Sequence, residues 1–540
     1  MDRGAGPSGF FKGEKGIGSR RAAGMPFLCP AVLDIQPSII YNKPMENQNI
    51  VPKGKLSVSF IWIVSTVILC AVFVVVSLPR VQAQSRQQTN TVSQYASLLS
   101  NVFNFIQQNY VEEVDTLQLF EGGMIGMFDS LGDPYSVYMN EAEMADLNST
   151  TVGTYGGVGL YISKPTRTDG KPSYVEVSSP IEDTPGWRSG INPGDLIIEI
   201  NGESTDLLSM DDVLARLKGV PGEVVRLLIR RGERLEFPVT IVKEIIEVPT
   251  AKYAMIGNIG YLNLLTFTPM TVDRARDAIN EFISKGYTGL ILDLRNNYGG
   301  LLNSAVAVTN LFVEGGVVVS TKSRISQDNV VYPARNRAMV SLDIPMVVLI
   351  NRGSASASEI VAGALKDRGR AYLVGEKSFG KGSVQQVYDL NRVGFKLTTA
   401  RYYTPSDVNI DKIGIPPDLE VLFPEFTLEE ADRYSDLILS ERIPAYVSAN
   451  PGATVAQVDL FARELNREYN LELSLLRRLI RNEQNRTQIA PVYDLDYDIQ
   501  LQAAMRVLQQ GNFRALMQTT KTLRELQDEA LKEEGLALAS

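Results

Sequence analysis

The stretch NRGSASASEIVAGALKDRGRAYLVGEKSFGKGSVQ, residues 351–385, sets a serine flanked by alanines, Ser356, ahead of a lysine flanked by glycines, Lys381. A serine hydroxyl needs a base before it can attack a carbonyl, and the chain contains no histidine. That excludes the Ser-His-Asp triad, the Cys-His pair and the histidine-rich zinc sites. The base left for work near neutral pH is a lysine amine whose pKa burial has lowered. Lys381 lies on a loop leaving an apolar strand, with no acidic residue nearer in sequence than Glu376. Gln385, four residues on, shares its face if the segment is extended, so that its amide can accept from the amine and orient it.

Each of these residues also has a plainer reading. Ser354, Ser356 and Ser358 can all cap a helix without doing chemistry. A lysine on a loop is commonly just solvated. GEKSFGKGS nearly matches the phosphate-binding G-x-x-x-x-G-K-[ST], but Gly382 stands where the metal-binding hydroxyl belongs and SVQQVYDL reads as a strand. Ser378 and Lys381 match the S-x-x-K of penicillin-binding acyltransferases, although Gly380 and Gly382 disfavour the helical turn that motif needs.

The elements that must hold these side chains follow from hydrophobic spacing. From about residue 256, strands (IGYLNLL, GLILDLR, MVVLI, AYLVGE) alternate with helices (TVDRARDAINEFISKG, LLNSAVAVTNLF, SEIVAGALKD), which is α/β organisation. Ala275, Ile279, Phe282 and Ile283 form the expected buried face of the first helix, with Gly286 at its C-terminal end. Ser356 then falls where a strand turns into a helix, at the helix end that favours developing negative charge. Oxyanion donors are expected from Gly299, Gly300 and the amide of Ala357; glycines at such junctions also serve simply as tight turns.

Residues 150–243 read as a separate small domain of short strands with one helix, SMDDVLARLKG. In YGGVGLYI, glycines 156, 157 and 159 precede a strand, and the turn is either a plain tight turn or a nest of backbone amides that can hold a carboxylate. Residues 92–130 show helical spacing broken at Asp133-Pro134, and the last segment, about 425–540, is mostly helical.

The 540 residues suffice for several folded units, and a net charge of −9 argues against a nucleic-acid partner. Cys29 and Cys70 are the only cysteines, so neither a disulfide framework nor a thiolate metal site is available downstream. Leu56–Leu78 is uncharged and long enough to cross a bilayer. Lys53 and Lys55 before it place the N-terminus in the cytosol and the rest outside the cytoplasm, on the periplasmic or extracellular face. The VQA at 81–83 offers a signal-peptide alternative, and the Gly- and Pro-rich start of the chain is assigned no function.

Taken together, RGSASASEIVAGALKDRGRAYLVGEKSFGKGSVQ, the preceding LILDLRNNYGG and GDPYSVYM, and the following FKLTTARYYTPS and GIPPDLEV resemble the C-terminal processing peptidases, or tail-specific proteases, over about 95–424. The resemblance implies Ser356 as nucleophile, 25 residues before Lys381 as base, with Gln385 as third member. It departs from the pattern at Tyr298, where proline is frequent. The order of the glycine loop, INPGDLIIEINGES and MDDVLARLKG is similar to a PDZ domain, which implies that Gly157, Val158, Gly159 and Leu160 bind a peptide C-terminus. The implied fold is α+β and multidomain: a cytoplasmic tail (1–55), a membrane anchor (56–78), a linker (79–94), a helical N-terminal part (95–142), a PDZ domain (143–243) beside a crotonase- or Clp-like serine protease core (244–424), and a helical domain (425–540). Implied partners are proteins with apolar C-terminal tails, with room for an activator, an adaptor or a second copy. No cofactor or metal is expected.

Overall fold

The computed structural model describes residues 91–164, 172–232, 234–335, 337–424, 426–486, 488 and 491–539. The tail 1–55, the apolar run 56–78 and most of the linker lie outside the described residues. Among the described residues no helix is long and apolar enough to cross a membrane. The chain forms two units, one through Asn104, whose described residues 91–104 are helical, and one from Phe105. The helical spacing expected through 92–130 is interrupted at 110–115, where Asp115 accepts from the amides of Leu117 and Gln118 and caps a new helix, Thr116–Asp129.

The α/β core is built from β1 (Ala251–Ile256), β2 (Ile259–Leu264), α1 (Thr271–Ser284), β3 (Gly289–Asp293), α2 (Leu302–Thr309), β4 (Val317–Ser323), β5 (Met346–Ile350), α3 (Ala357–Asp367), β6 (Tyr372–Gly375), β7 (Ser383–Leu390), β8 (Val393–Tyr403), β9 (Leu419–Glu420) and α4 (Ile499–Gln509). Its main sheet runs β1-β2-β3-β5-β6-β9, parallel except for the β1–β2 hairpin. Every residue of β3, β5 and β6 is buried, the pattern a parallel strand needs when both faces are covered. Side chains alternate: Leu290, Leu292 and Val348 pack with α1, α2 and α3, while Ile291, Val347 and Leu349 pack against Leu501, Ala504 and Val507 of α4. On α1 the buried stripe is Ala275, Ala278, Ile279 and Phe282, the i, i+3, i+4, i+7 spacing, and Ile283 faces outward at 51% exposure instead.

Helices of the C-terminal region divide between two cores. Those within Leu428–Gln484 bury Leu437, Phe461, Leu465, Leu476 and Ile480 among themselves. α4 and Leu523, by contrast, complete the α/β core. The junction is fixed by Arg295, whose guanidinium lies between Asp293 and Asp498, donating to Asp498 at 2.6 and 2.8 Å and to Asp293 at 2.6 Å. Asp498 also caps α4 through the Leu501 amide at 2.9 Å. Asp498→Ala strips a cap and leaves a buried guanidinium half-paired. It is expected to cost about 3–5 kcal/mol, read as a lowered midpoint in denaturant unfolding.

A second sheet has β8 at its centre, pairing with β7, with β4 and with the strand Val137–Met139. It brings the GDPYS segment against the loop that carries Lys381. The PDZ-like domain forms a sheet of the strands Leu160–Ser163, Val175–Pro180, Leu196–Ile200, Val224–Arg231 and Leu235–Val242, with the helix Met210–Leu217 packed on it. A two-stranded ribbon, Thr154–Gly157 against Glu244–Glu247, joins it to the core.

Candidate active site

The turn between β5 and α3 separates the three serines. Ser354 donates its hydroxyl to the Leu294 carbonyl at 2.8 Å, and Ser358 donates to the Asn297 carbonyl at 2.7 Å. Ser356 does neither. Its backbone stands at φ 53°, ψ −111°, a conformation that L-residues rarely adopt and that costs on the order of 1–3 kcal/mol. Its carbonyl accepts from the amides of Glu359 and Ile360, so those helix-end donors are satisfied without the hydroxyl. The Ser356 Oγ stands toward the Glu359 amide in a capping box but donates its proton to no described acceptor, and it lines a cavity of about 350 Å³. A strained strand-to-helix turn that exposes one serine with its proton unused is the geometry of a nucleophile.

Glu359, fully buried one turn into α3, gathers the site. One carboxylate oxygen accepts from the Ser356 and Lys381 amides at 2.9 and 2.8 Å; the other accepts from the Gly380 amide at 2.7 Å and the Ser378 hydroxyl at 2.5 Å. Burial pushes this carboxyl above its usual pKa range against the pull of those four donors. The buried Tyr402 hydroxyl adds a second tie, bonding to the carbonyls of both Ser356 and Lys381. Neither residue was singled out from the sequence. Glu359 had a signal, because Ser356-x-x-Glu359 is the S-x-x-E spacing of a capping box; Tyr402 had none.

Lys381 lines the same cavity as Ser356 and Gln385. Its amine sits 4.4 Å from the centre of the Tyr135 ring, on the GDPYS segment, which is tied to β8 by the Ser136 hydroxyl accepting from the Thr398 amide. Burial, then the nearby charge of Lys396, lowers the Lys381 pKa, opposed by Asp133 and Glu359. The expected bond from the Lys381 amine to Gln385 is not formed among the described residues; Gln385 Nε2 donates to the hydroxyls of Ser383 and Thr398, and its Oε1 is left able to accept. Gln385 does share the face of Lys381, since Lys381, Ser383, Gln385 and Val387 all line one cavity, and the bulge beside them puts its extra residue, Thr399, on β8.

Of the expected oxyanion donors, the Gly299 amide is spent on the Asn297 side chain at 2.9 Å. That glycine is required by space instead, because a Cβ there would lie 2.9 Å from the Ser356 Cβ. The amides of Gly300 and Ala357 have no acceptor among the described residues, and Gly300 lines the cavity. In the PDZ-like domain Gly157, Val158, Gly159 and Leu160 are buried, and Gly159 (φ 78°) is pressed on by Thr184, 2.3 Å from where a Cβ would stand. The amide of Gly159 donates to no described acceptor, while the chain before it bridges Lys218 through Gly157.

Comparison with known proteins decides what kind of site this is. The model for peptidase family S41 matches residues 258–421, a PDZ domain model matches 176–231, and the model of the activating protease CtpB N-terminal domain matches 72–143. A carboxy-terminal-processing protease of Bartonella bacilliformis is 39% identical over 369 residues, which is 67% of this chain and 82% of the relative. The chain belongs to peptidase family S41. A probable CtpA-like serine protease of Staphylococcus aureus (strain COL) is 30% identical, covering 67% of this chain and 72% of its own. The solved photosystem II D1 C-terminal processing protease is similar at 30% identity, TM-score 0.36, over 59% of this chain and 85% of its own.

For an S41 serine peptidase the rival motifs fall away. Ser378 is buried with its hydroxyl donating to Glu359 and accepting from the Ile415 amide at 2.7 Å, so it is no S-x-x-K nucleophile. SVQQVYDL forms β7, not the helix a phosphate loop opens. A lysine base works only when neutral, so if Lys381 is the base, kcat/KM is expected to rise with pH through a Lys381 pKa lying below the ordinary lysine range. Lys396→Gln removes a repelling charge, raises that pKa and moves the acid limb to higher pH. A pH–rate profile of both proteins checks it.

Proposed function

We propose that this S41 peptidase is a membrane-anchored, extracytoplasmic endopeptidase that holds free C-terminal tails in its PDZ domain and cleaves by a Ser356–Lys381 acyl-enzyme mechanism. The observation that carries this reading is the spare hydroxyl of Ser356 on its strained turn, in one cavity with a lysine of lowered pKa. Neutral Lys381, swung off Tyr135, takes the Ser356 proton. Ser356 Oγ bonds to the scissile carbonyl carbon, and the amides of Gly300 and Ala357 receive the oxyanion. The Lys381 ammonium then protonates the leaving amine as the C–N bond breaks. Water, deprotonated by the same amine, releases the acyl group and returns the proton to Ser356. Gln385 and its hydroxyl partner Ser383 line the wall beside the amine.

Tail recognition rests on the unused amide of Gly159 in a left-handed turn, which suits a carboxylate. Anchoring rests on Leu56–Leu78 with its preceding lysines. The test uses the full chain and a loosely folded protein ending in an apolar tail, with the terminal carboxylate either free or amidated. Cleavage of the free form is expected to be at least ten times faster, and equal rates reject tail recognition. Deleting residues 56–78 is expected to move the protein from the membrane to the soluble fraction.

A further inference from the structure

We infer that Lys396 anchors an acidic side chain of the bound substrate, a role that rests on the cleft being the peptidase site proposed above. Lys396 lies on β8 and lines the cavity that contains Ser356, Lys381 and Gln385. The register fixes its place: Gln385 opposes Thr398 and Val387 opposes Lys396, so Lys396 stands one step along the same sheet face from Gln385. Among the described residues no aspartate or glutamate lines this cavity. Its wall is otherwise largely apolar, with Phe267, Leu301, Ile360 and Val387 among the lining.

The Lys396 ammonium forms no ion pair or hydrogen bond with any described residue, although it also borders the adjoining cavity, whose wall carries Glu121, Asp129, Glu143 and Asp146. None of those carboxylates comes within ion-pairing distance of it. A half-buried ammonium on an acid-free wall is an incomplete pair, and burying it further under a substrate without a counter-charge is unfavourable. A substrate carboxylate completes the pair. The ligand class is therefore a peptide segment with aspartate or glutamate near the scissile bond, read by the catalytic cleft separately from the terminal carboxylate.

The test uses the full chain carrying Ser356→Ala, which binds without cleaving, and fluorescent dodecapeptides amidated at the C-terminus so that the PDZ domain has no carboxylate to take. One glutamate is walked along an otherwise neutral sequence, with matched glutamine and lysine peptides, and affinity is read by anisotropy. At one position glutamate is expected to bind about tenfold tighter than glutamine, with lysine weaker still. Lys396→Gln in the same background erases that preference and Lys396→Glu reverses it. No preferred position, or a preference that survives Lys396→Gln, overturns the inference. So does a lowered melting temperature in Lys396→Gln with the peptide ranking intact, which makes Lys396 a structural counter-charge to the acidic wall. Cleavage of the neutral peptide by the unsubstituted chain tests the peptidase reading by itself, so the two failures are distinguishable.

Discussion

Ser356→Ala and Lys381→Ala are each expected to reduce kcat by on the order of 10⁴-fold or more, with the double variant no slower than either single one. A nucleophile and its base act as a unit, so removing one forfeits what the other supplies, and the losses do not add. Two companions sharpen the result. Lys381→Arg keeps the charge and is just as inactive, because a guanidinium stays protonated at any working pH. Ser378→Ala removes one of four donors to Glu359 and costs kcat about tenfold or less, since its hydroxyl is turned away from the cleft. Steady-state cleavage of one peptide by the five variants measures all of this. Full activity in Ser356→Ala removes the serine mechanism altogether.

What the sequence disclosed and what it concealed divide along a physical line. Strands β3, β5 and β6 were legible because a parallel strand covered on both faces is apolar at every position. The position of Ser356 was legible from the strand-to-helix change around it. The choice of Ser356 over Ser354 and Ser358 came from the resemblance, and its physical reason appears only in the structure. The carbonyls that take up the other two hydroxyls, at Leu294 and Asn297, arrive from about sixty residues upstream, and no local pattern announces them. The environment of Lys381 was misjudged for the same reason. No acid stands near it in sequence, yet Glu359 and Asp133 both face it in space. The face that Lys381 and Gln385 share was legible from a period of two, whereas the hydroxyls that take the Gln385 amide were not. The helical stretch after 425 hid a division that sequence spacing cannot express, because an amphipathic helix such as α4 does not say whose sheet it will cover.

Glu359→Gln is expected to lower kcat by about a hundredfold, with a much smaller change in KM, and to destabilise the fold by about 2–4 kcal/mol. The carboxylate accepts at both oxygens, from the amides of Ser356 and Lys381 on one side and from Gly380 and Ser378 on the other. A carboxamide has one oxygen and one donor group, so whichever way it turns, its NH₂ meets at least one backbone N–H that then has no acceptor. Those amides fix the strained turn of Ser356 and the loop of Lys381 relative to each other, and the loss therefore falls on the chemical step. A merely structural role predicts only the lower stability. The pH profile separates the two. Glu359 holds the Lys381 pKa up, so with glutamine in its place the acid limb moves to lower pH, opposite to the shift expected for Lys396→Gln. If Glu359→Gln unfolds more easily but keeps its kcat and its acid limb, Tyr402 alone ties the two reacting residues together, and Tyr402→Phe becomes the variant that separates nucleophile from base.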